Sequence, residues 1–308
     1  MDLMTLTNDN FKSGFVTILG RPNVGKSTFL NKVIGTKIAI MSDKPQTTRN
    51  TILGVLTDND SQIIFTDTPG IHKPVSALGK LMNEESYNAA RNVDCILFMV
   101  SCDAPLGKGD QMIMDHLKTF KEDVYLVINK IDLLEDRKKL CDIIISYNQQ
   151  YNFKEVFPIS AKTGEGVLEL TSFLKTKLPF GPKYYPDDII TDHPERFIVS
   201  ELVREKCLYL TQDEVPHSIA VIVDSMKNIE DSDRVEIYAT IYVERDSQKG
   251  IVLGKQGAMI KKIKELARKD IKNLLGSPVE LNLWVKVKKN WTERPDSMKA
   301  LGYQKDEY

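Results

Sequence analysis

The sequence predicts two domains: an α/β domain with a mostly parallel sheet and helices on both faces, followed by a smaller α+β domain. Apolar runs of strand length alternate with helical patterns through the first half of the chain, as in doubly wound folds. Four prolines then fall within residues 179–194, which is typical of a stiff, extended connector. The chain of 308 residues also suits about two domains of ordinary size.

Composition shifts along the chain set the expected boundaries. We predict a polar N-terminal tail over residues 1–12, the α/β domain over 13–179, a proline-rich linker over 180–195, the second domain over 196–292 and a polar C-terminal tail over 293–308. The stretch after Arg294 is expected to be loosely structured. No apolar run approaches the roughly 20 residues of a membrane-spanning helix, and the polar N-terminus is unlike a targeting peptide. We therefore expect a cytoplasmic protein.

The first predicted strand, residues 15–19, leads through a glycine-rich phosphate loop into a helix. The loop and the first helical residue are Gly20, Arg21, Pro22, Asn23, Val24, Gly25, Lys26, Ser27 and Thr28. Glycines let backbone N–H groups turn inward around phosphates, and the helix start adds unpaired donors. Lys26 can then reach the β- and γ-phosphates, and the Ser27 hydroxyl can bind Mg²⁺. The alternative is a chance glycine-rich turn, against which the flanking strand and helix argue.

The next elements extend the α/β pattern. Apolar runs at 52–56 and 62–65 flank a turn at 58–60 and predict a β-hairpin. Helices and strands are then predicted in alternation at 78–91, 95–100, 109–120 and 124–128. Ligands of such folds bind at the carboxyl ends of the strands. The second apolar run of the hairpin leads into Asp67, Thr68, Pro69 and Gly70, which are therefore candidate ligand-binding residues at the carboxyl end of a strand.

Base recognition is predicted after residues 124–128, where Asn129, Lys130 and Asp132 follow. The Asp132 carboxylate can accept hydrogen bonds from N1–H and the 2-amino group of guanine, whereas adenine offers neither donor. Adenine would leave this carboxylate unpaired, so the pattern favours GTP over ATP. We expect Asn129 to bridge to the phosphate loop and the Lys130 stem to cover the purine. The guanine O6 is expected to meet the backbone N–H of the middle residue in Ser160, Ala161 and Lys162.

Taken in order, these motifs resemble G1 to G5 of the translation-factor-related GTPases, which are P-loop α/β proteins. Thr47 and Thr48 supply the second motif. The resemblance implies that Thr48, or its neighbour Thr47, closes on Mg²⁺ and the γ-phosphate, that Asp67 holds Mg²⁺ through water, and that the Gly70 N–H senses the γ-phosphate. The implied metal ligands are Ser27, Thr48 and Asp67, and the implied cofactors are GTP or GDP with Mg²⁺.

Slow intrinsic hydrolysis is expected. Signalling GTPases carry a water-orienting Gln after this Asp-x-x-Gly motif, whereas this sequence has Ile71, whose apolar side chain cannot orient water. In relatives with Asn at the position of Asn23, that side chain helps to hold K⁺ beside the phosphates. A purely local role fits Asn23 equally well, because Asn tolerates the turn of the loop. The implied catalytic set is Lys26, Thr48, Asp67, Gly70 and Asn23.

The second half predicts an α+β domain with a basic surface. Its expected elements are a helix at 195–210, strands at 218–223 and 234–244, a Gly-x-x-Gly turn at 254–257, a helix at 258–275 and a strand at 279–288. Residues 249–291 carry eleven basic and three acidic residues, a net charge of +8 in a chain whose net charge is −1. Such a basic region is typical of nucleic-acid contact.

The Gly-x-x-Gly turn is the expected centre of that contact, because its glycines let the backbone approach a phosphate. The expected RNA-binding residues are Gly254, Lys255, Gln256, Gly257, Lys261 and Lys262. Val252, Ile260, Trp284 and Trp291 could pack or stack against bases, although Trp284 equally fits packing against another element. The alternative for the whole region is an ordinary turn beside solvated lysines.

The element order resembles a type II KH domain, and its combination with a GTPase domain resembles the Era-type GTPases. This resemblance covers nearly the whole chain. It implies a GTP-hydrolysing switch that binds single-stranded RNA near the 3′ end of small-subunit ribosomal RNA, on the 30S subunit, during small-subunit maturation. We expect a monomer. The alternative is a GTPase switch that uses the basic helix at 258–275 on the inner face of the cell membrane, as a weak peripheral contact, or on a protein partner.

Overall fold

The computed structural model describes residues 10–44, 46–230 and 232–303 and divides the chain into two compact units. The first unit takes in residues up to 38, then 48–73 and 82–192. The second takes in 39–47, 74–81 and the residues from 193 onward. Two short segments from the first half of the sequence therefore belong to the second unit.

A mostly parallel sheet forms the centre of the first unit. Its described strands are β1 (Lys12–Leu19), β2 (Ile52–Thr57), β3 (Ser61–Asp67), β4 (Cys95–Ser101), β5 (Asp123–Asn129) and β6 (Val156–Pro158). They lie in the order β2-β3-β1-β4-β5-β6. The predicted hairpin pairs β2 with β3 antiparallel, and the remaining pairs are parallel. This arrangement brings the ends of β1, β3 and β5 to one edge, where the predicted motifs follow them.

Helices cover both faces of this sheet. They are α1 (Lys26–Ile34), α2 (Ala77–Asn88), α3 (Lys108–Leu117), α4 (Lys138–Asn148) and α5 (Val167–Lys177), of which α4 and α5 are additions to the predicted elements. Of α2, residues 82–88 belong to the first unit. Successive residues of a strand point to opposite faces. Accordingly, Leu126 belongs to a core cluster with Ile113 of α3 and Tyr147 of α4, whereas the ring of Tyr125 meets Phe173 of α5 edge-on at 5.2 Å.

The proline-rich segment contains turns and contacts β2 and β3 of this sheet. The Oε1 atom of Gln62 accepts hydrogen bonds from the backbone N–H groups of Tyr184 and Tyr185, at 2.8 and 3.0 Å. The Val55 N–H donates to the Ile190 carbonyl at 2.9 Å. These contacts satisfy backbone groups that a proline-rich chain cannot pair within itself.

The second unit is an α+β domain. Its elements are α6 (Glu195–Leu210), α7 (Val215–Ser218), β7 (Ala220–Asn228), β8 (Val235–Val243), α8 (Asp246–Leu253), α9 (Ala258–Leu275), β9 (Val279–Val287) and α10 (Pro295–Ala300). In the sheet β7-β8-β9, the first pair is antiparallel and the second is parallel. Alternate residues of β8 and every fourth residue of α9 form the core, which contains Ile237, Ala239, Ile241, Ile263, Ala267 and Ile271.

The structure corrects several expectations. Helix α8, directly before the Gly-x-x-Gly turn, was absent from the predicted order. The expectation of a loose C-terminus is wrong up to residue 303, because α10 forms there and Leu301 and Tyr303 are buried. At the other end, β1 begins at Lys12, inside the predicted tail, whose residues 1–9 lie outside the described part.

Among the helices of the described ranges, none has the length and apolar character of a bilayer span.

Candidate functional site

The phosphate loop, residues 20–27, connects the end of β1 to the start of α1. Two of its residues have left-handed backbone conformations, Asn23 at φ +63° and Gly25 at φ +99°. Lys26 is buried, and its ammonium donates to the carbonyls of Gly20 at 3.2 Å and Arg21 at 3.0 Å. Burial lowers the pKa of Lys26 to about 8, although the Asp67 carboxylate acts in the opposite direction. The lysine is therefore folded over the loop, within reach of a ligand that the loop would hold.

Three oxygen-bearing side chains converge beside the loop. The Ser27 hydroxyl donates to Oδ2 of Asp67 at 2.6 Å and lies 3.0 Å from the Thr48 hydroxyl. Oδ1 of Asp67 is buried and has no hydrogen-bond partner among the described residues. Burial raises the pKa of this carboxyl to about 6, against the opposing effects of Lys26, Ser27 and the Thr68 N–H. Mg²⁺ prefers hard oxygen ligands. The oxygen atoms of these three side chains, including the unpaired Oδ1 atom of Asp67, therefore fit a Mg²⁺ site.

The segment from Asp67 to Ile71 packs directly on the loop. Thr68 donates its hydroxyl to the Ile18 carbonyl at 2.7 Å, and the Ile71 N–H donates to the Gly20 carbonyl at 3.1 Å. A Cβ atom on Gly70 would lie 2.6 Å from Cα of Pro22, so only glycine fits there. The Ile71 side chain is fully buried in the core. This apolar, buried side chain offers no hydrogen-bonding group that could orient an attacking water.

Asn129 joins the base-recognition motifs to the phosphate loop. Its side-chain amide donates to the Val24 carbonyl at 2.8 Å, and its Oδ1 accepts from the Ala161 N–H at 2.9 Å. Asp132 is exposed, and its Oδ1 accepts from the Ser160 hydroxyl at 2.6 Å. This hydrogen bond restrains the carboxylate, which stays exposed to solvent.

Other predicted nucleotide residues differ in their surroundings. Lys130 has a left-handed backbone at φ +67°, and its ammonium lies 3.1 Å from Oδ2 of Asp103. Lys162 is exposed, and Thr28 is partly buried in the first turn of α1. The Ala161 N–H, expected to face the guanine O6, is donated to Asn129 in this structure.

Sequence reasoning missed the contacts that hold this site in place. Arg21 forms an ion pair of 2.8 Å with the buried Asp110 of α3, which also accepts the Gly107 N–H at 2.9 Å. Asp103, which follows β4, holds Lys130 as described above. These partners are remote in sequence, 89 positions apart for Arg21 and Asp110, and no local pattern indicates such a pairing.

The Gly-x-x-Gly turn, residues 254–257, lies between α8 and α9. Gly254, Gln256 and Gly257 all have positive φ angles, of 71°, 53° and 76°. A Cβ atom on Gly254 would lie 2.7 Å from Cβ of Met259, whereas one on Gly257 would meet nothing closer than 4.0 Å. The predicted basic residues beside the turn, Lys255, Lys261 and Lys262, are all exposed, as is Gln256.

The apolar candidates for base contact separate into two groups. Val252 and Trp291 are fully buried, and the Trp291 indole donates to the Ser218 carbonyl at 2.8 Å, so neither is available to a base. Ile260 is partly buried. Trp284 is 47% exposed and its ring stacks on Tyr238, with centroids 5.4 Å apart, on the sheet itself.

Comparison with known proteins agrees with both halves of this geometry. Residues 15–130 match the family described as 50S ribosome-binding GTPase, and residues 214–292 match the KH domain. The chain is 40% identical to Era in a crystal structure with MgGDPNP and nucleotides 1506–1542 of 16S ribosomal RNA. That match has a TM-score of 0.92 and covers 96% of this chain and 100% of the other. The chain belongs to the Era family of GTPases.

A second member of the Era family is similar to the same degree. It is an Aquifex aeolicus Era variant bound to GDP·AlF₄⁻, with 39% identity, a TM-score of 0.91 and coverage of 96% of this chain and 100% of the other. Membership of the Era family confirms the predicted fold class, an α/β GTPase domain followed by a KH domain. It also confirms the prediction that the chain is a GTP-hydrolysing enzyme.

Proposed function

We propose that this chain is a GTP-dependent switch that binds single-stranded RNA near the 3′ end of small-subunit ribosomal RNA and acts in assembly of the 30S subunit. The observation that carries the proposal is the presence, in one chain, of the oxygen cluster at Ser27, Thr48 and Asp67 and of the positive-φ turn at 254–257. The similar Era structure, which holds both MgGDPNP and this RNA, supports it.

The oxygen cluster is the proposed Mg²⁺ site of the GTPase. Ser27 and Thr48 would bind the ion through their hydroxyls and Asp67 through water, which would satisfy the buried Oδ1 atom. When bound, Mg²⁺ neutralises charge that develops on the phosphates. Lys26 supplies a further positive charge beside the β- and γ-phosphates, and the Gly70 N–H senses the γ-phosphate. The backbone of residues 20–25 and the start of α1, with Thr28, cradle the phosphates.

Guanine is the proposed base. Asp132, held by the Ser160 hydroxyl, would accept the two donors of the guanine edge. Asn129 fixes the motif to the phosphate loop, and the Lys130 stem covers the ring. The backbone of Ala161, followed by Lys162, closes the other side of the base.

Hydrolysis requires a source of positioning other than residue 71, because Ile71 lies in the core. Asn23 is the proposed K⁺ ligand, although its left-handed backbone fits the local role equally well. Turnover measured in matched K⁺ and Na⁺ buffers, for wild type and Asn23→Ala, separates the two roles. Faster turnover in K⁺ that disappears in Asn23→Ala supports K⁺ binding. Equal turnover in both salts leaves Asn23 with the local role only.

The KH domain, which follows the GTPase domain and the proline-rich linker, is proposed to carry the RNA site. Backbone donors at Gly254 and Gly257 would approach a phosphate, and the exposed Lys255, Gln256, Lys261 and Lys262 would line its path. Binding of GTP orders Thr48 and the Gly70 segment, and hydrolysis releases them and lowers the affinity for RNA. The proposed place of action is the cytoplasm.

RNA binding as a function of nucleotide tests this proposal. Fluorescent single-stranded RNA from the 3′ end of small-subunit ribosomal RNA is titrated with the full chain plus a GTP analogue or GDP, and with Gly254→Asp/Gly257→Asp. Tight binding that depends on nucleotide and is lost in the double variant is the expected result. Binding that ignores both changes would contradict the switch, since a ligand shifts an equilibrium only by differential affinity. Co-sedimentation with anionic vesicles, without RNA binding, would support the membrane alternative.

A further inference from the structure

The residues that immediately precede Thr48 belong to the second unit and are held there by α6. Ile40 is 1% exposed and is part of the same apolar core as Ile198 and Leu202 of α6. The Met41 N–H donates to Oε1 of Glu205, also on α6, at 2.9 Å. A helix of the RNA-binding unit therefore anchors the start of this segment, both by apolar packing and through its backbone.

Arg204 anchors the other end of the segment. Its side chain is completely buried, and Nη2 donates a hydrogen bond to the backbone carbonyl of Thr47. Nε and Nη2 also donate to the Glu201 carboxylate, at 2.7 and 2.5 Å. A charge-assisted hydrogen bond from a buried, paired guanidinium holds its acceptor more firmly than a neutral donor does.

Stability alone explains this arrangement poorly. Removing an arginine and a glutamate from water is costly, and well-packed apolar residues often replace such buried pairs without loss of stability. The Arg204 guanidinium could have donated only to the Glu201 carboxylate. It also donates to the Thr47 carbonyl, which is 157 positions away in sequence. The distinctive result of the arrangement is the fixed position of the Thr47 carbonyl.

We propose that Arg204 is a positioning residue for GTP hydrolysis. The Thr47 carbonyl belongs to the peptide that leads into Thr48, whose hydroxyl lies 3.0 Å from that of Ser27. By fixing this peptide, Arg204 limits the conformations in which Thr48 can face Mg²⁺ and the γ-phosphate. The inference rests on the proposed role of Thr48. It assigns to the RNA-binding unit a residue that acts on catalysis without touching the nucleotide.

The test removes the hydrogen bond without leaving an unpaired buried charge. In Arg204→Met/Glu201→Met both charges are replaced by apolar side chains of similar length. Arg196→Met, an exposed position on the same helix, is the matched control, and Thr48→Ala is the reference for loss of the hydroxyl. Each full-length variant is measured for kcat and KM with GTP, for affinity toward GDP and toward RNA in GDP, and for amide hydrogen exchange at 39–44 and 46–47 without nucleotide.

We expect the double variant to lose about tenfold in kcat, with little change in KM, because one charge-assisted hydrogen bond is lost. Its affinities for GDP and RNA should stay within twofold of wild type, and its amides at 39–44 and 46–47 should exchange faster. Arg196→Met should behave as wild type. These results would show that the hydrogen bond acts on catalysis rather than on folding.

Two different outcomes would overturn the inference. One is wild-type kcat in the double variant. The other is a fall in kcat matched by an equal loss of GDP and RNA affinity, which would show a general structural role. Thr48→Ala separates this failure from that of the proposed function. If Thr48→Ala itself keeps wild-type turnover, the proposed role of Thr48 fails, whereas loss in Thr48→Ala alone contradicts only the role of Arg204.

Discussion

The phosphate loop and the Gly-x-x-Gly turn are both proposed to bind phosphate through backbone N–H groups, yet they are constructed differently. Around the phosphate loop Lys26, Asp67 and Asn129 are buried, and each is hydrogen-bonded to a neighbouring backbone or side-chain group of the site. Around the turn at 254–257 the charged side chains point into solvent, and only the backbone conformation is fixed. The first site depends on individual side chains, and the second depends on glycine conformation and summed charge.

This difference has an energetic consequence. Buried polar groups are costly to leave unpaired, so each member of the nucleotide site depends on its neighbours and on the ligand. Exposed lysines act on a polyanion through screened, nearly independent interactions. Single substitutions should therefore act strongly at the first site and weakly at the second, except where they alter the glycine backbone.

The largest expected effect is the loss of the buried lysine. Lys26→Ala should lower kcat/KM for GTP by about 100- to 1,000-fold, because a preorganised charge beside the phosphates is lost. Steady-state phosphate release gives the measurement. Lys32→Ala, at an exposed position of the same helix, is the control and should change turnover less than twofold. If Lys26→Ala lowers kcat/KM by less than tenfold, the buried nucleotide site tolerates the loss of one side chain, and the expected difference between the two sites is contradicted.

The buried carboxylate should leave a signature in the pH dependence of stability. The folded pKa of Asp67, raised to about 6 from 3.8, means that the folded state binds more protons in this range. In protein without nucleotide and Mg²⁺, this group should thus stabilise the fold at low pH and lose on the order of 2–3 kcal/mol of that contribution as pH rises through about 6. Urea unfolding between pH 4 and 7 measures it.

The matched variant for that experiment is Asp67→Asn, which keeps the shape and removes the charge. In this variant the free energy of unfolding should fall less between pH 4 and 7 than in wild type. The variant should unfold at a higher urea concentration than wild type at pH 7, and it should lose Mg²⁺-dependent hydrolysis. Asp142→Asn, at an exposed position, serves as the control. If the free energy of unfolding falls with pH as steeply in Asp67→Asn as in wild type, other titratable groups cause the pH dependence.

The same contrast explains what the sequence alone could predict. Elements with strong periodicity were placed well, and α6 occupies the predicted residues, Glu195–Leu210. The nucleotide motifs are recognisable in the sequence because binding of phosphate and guanine requires particular residue types at short, fixed spacings. The long-range partners Asp110 and Arg204 are not, since a salt bridge or hydrogen bond across 89 or 157 positions leaves no local pattern.

Two other elements escaped prediction because packing overrides local preference. Helix α8 contains Gly250, Ile251 and Val252, which are poor or mediocre helix formers, yet Val252 is fully buried in the core of the second unit. In the polar C-terminal stretch, Met298, Leu301 and Tyr303 are too few to mark a helix by themselves. The ring of Tyr303 stacks on that of Trp291 at 5.3 Å, a contact that only the fold can show.

A single added methyl group should separate backbone from side-chain effects at the proposed RNA site. Gly254→Ala forces a side chain into a backbone conformation, φ 71° and ψ 171°, that essentially only glycine adopts, and against Met259, so RNA affinity should fall about tenfold, given about 1–3 kcal/mol of strain. Gly250→Ala, four positions earlier with open space around it, should leave the affinity unchanged. Basal GTP turnover should be unaltered in both. Equal affinities for the two variants would show that the turn does not depend on glycine.

The smallest expected effect concerns the exposed charges. Lys261→Ala and Lys262→Ala should each weaken RNA binding only slightly, but each should reduce the slope of log affinity against log salt by about 0.7, the value for one contact with single-stranded nucleic acid. Lys139→Ala, exposed on the first unit, should keep the wild-type slope. An unchanged slope in both KH variants would place the RNA path elsewhere on the basic surface. A loss of affinity that does not depend on salt would show instead that these lysines, like those of the nucleotide site, act by specific contact.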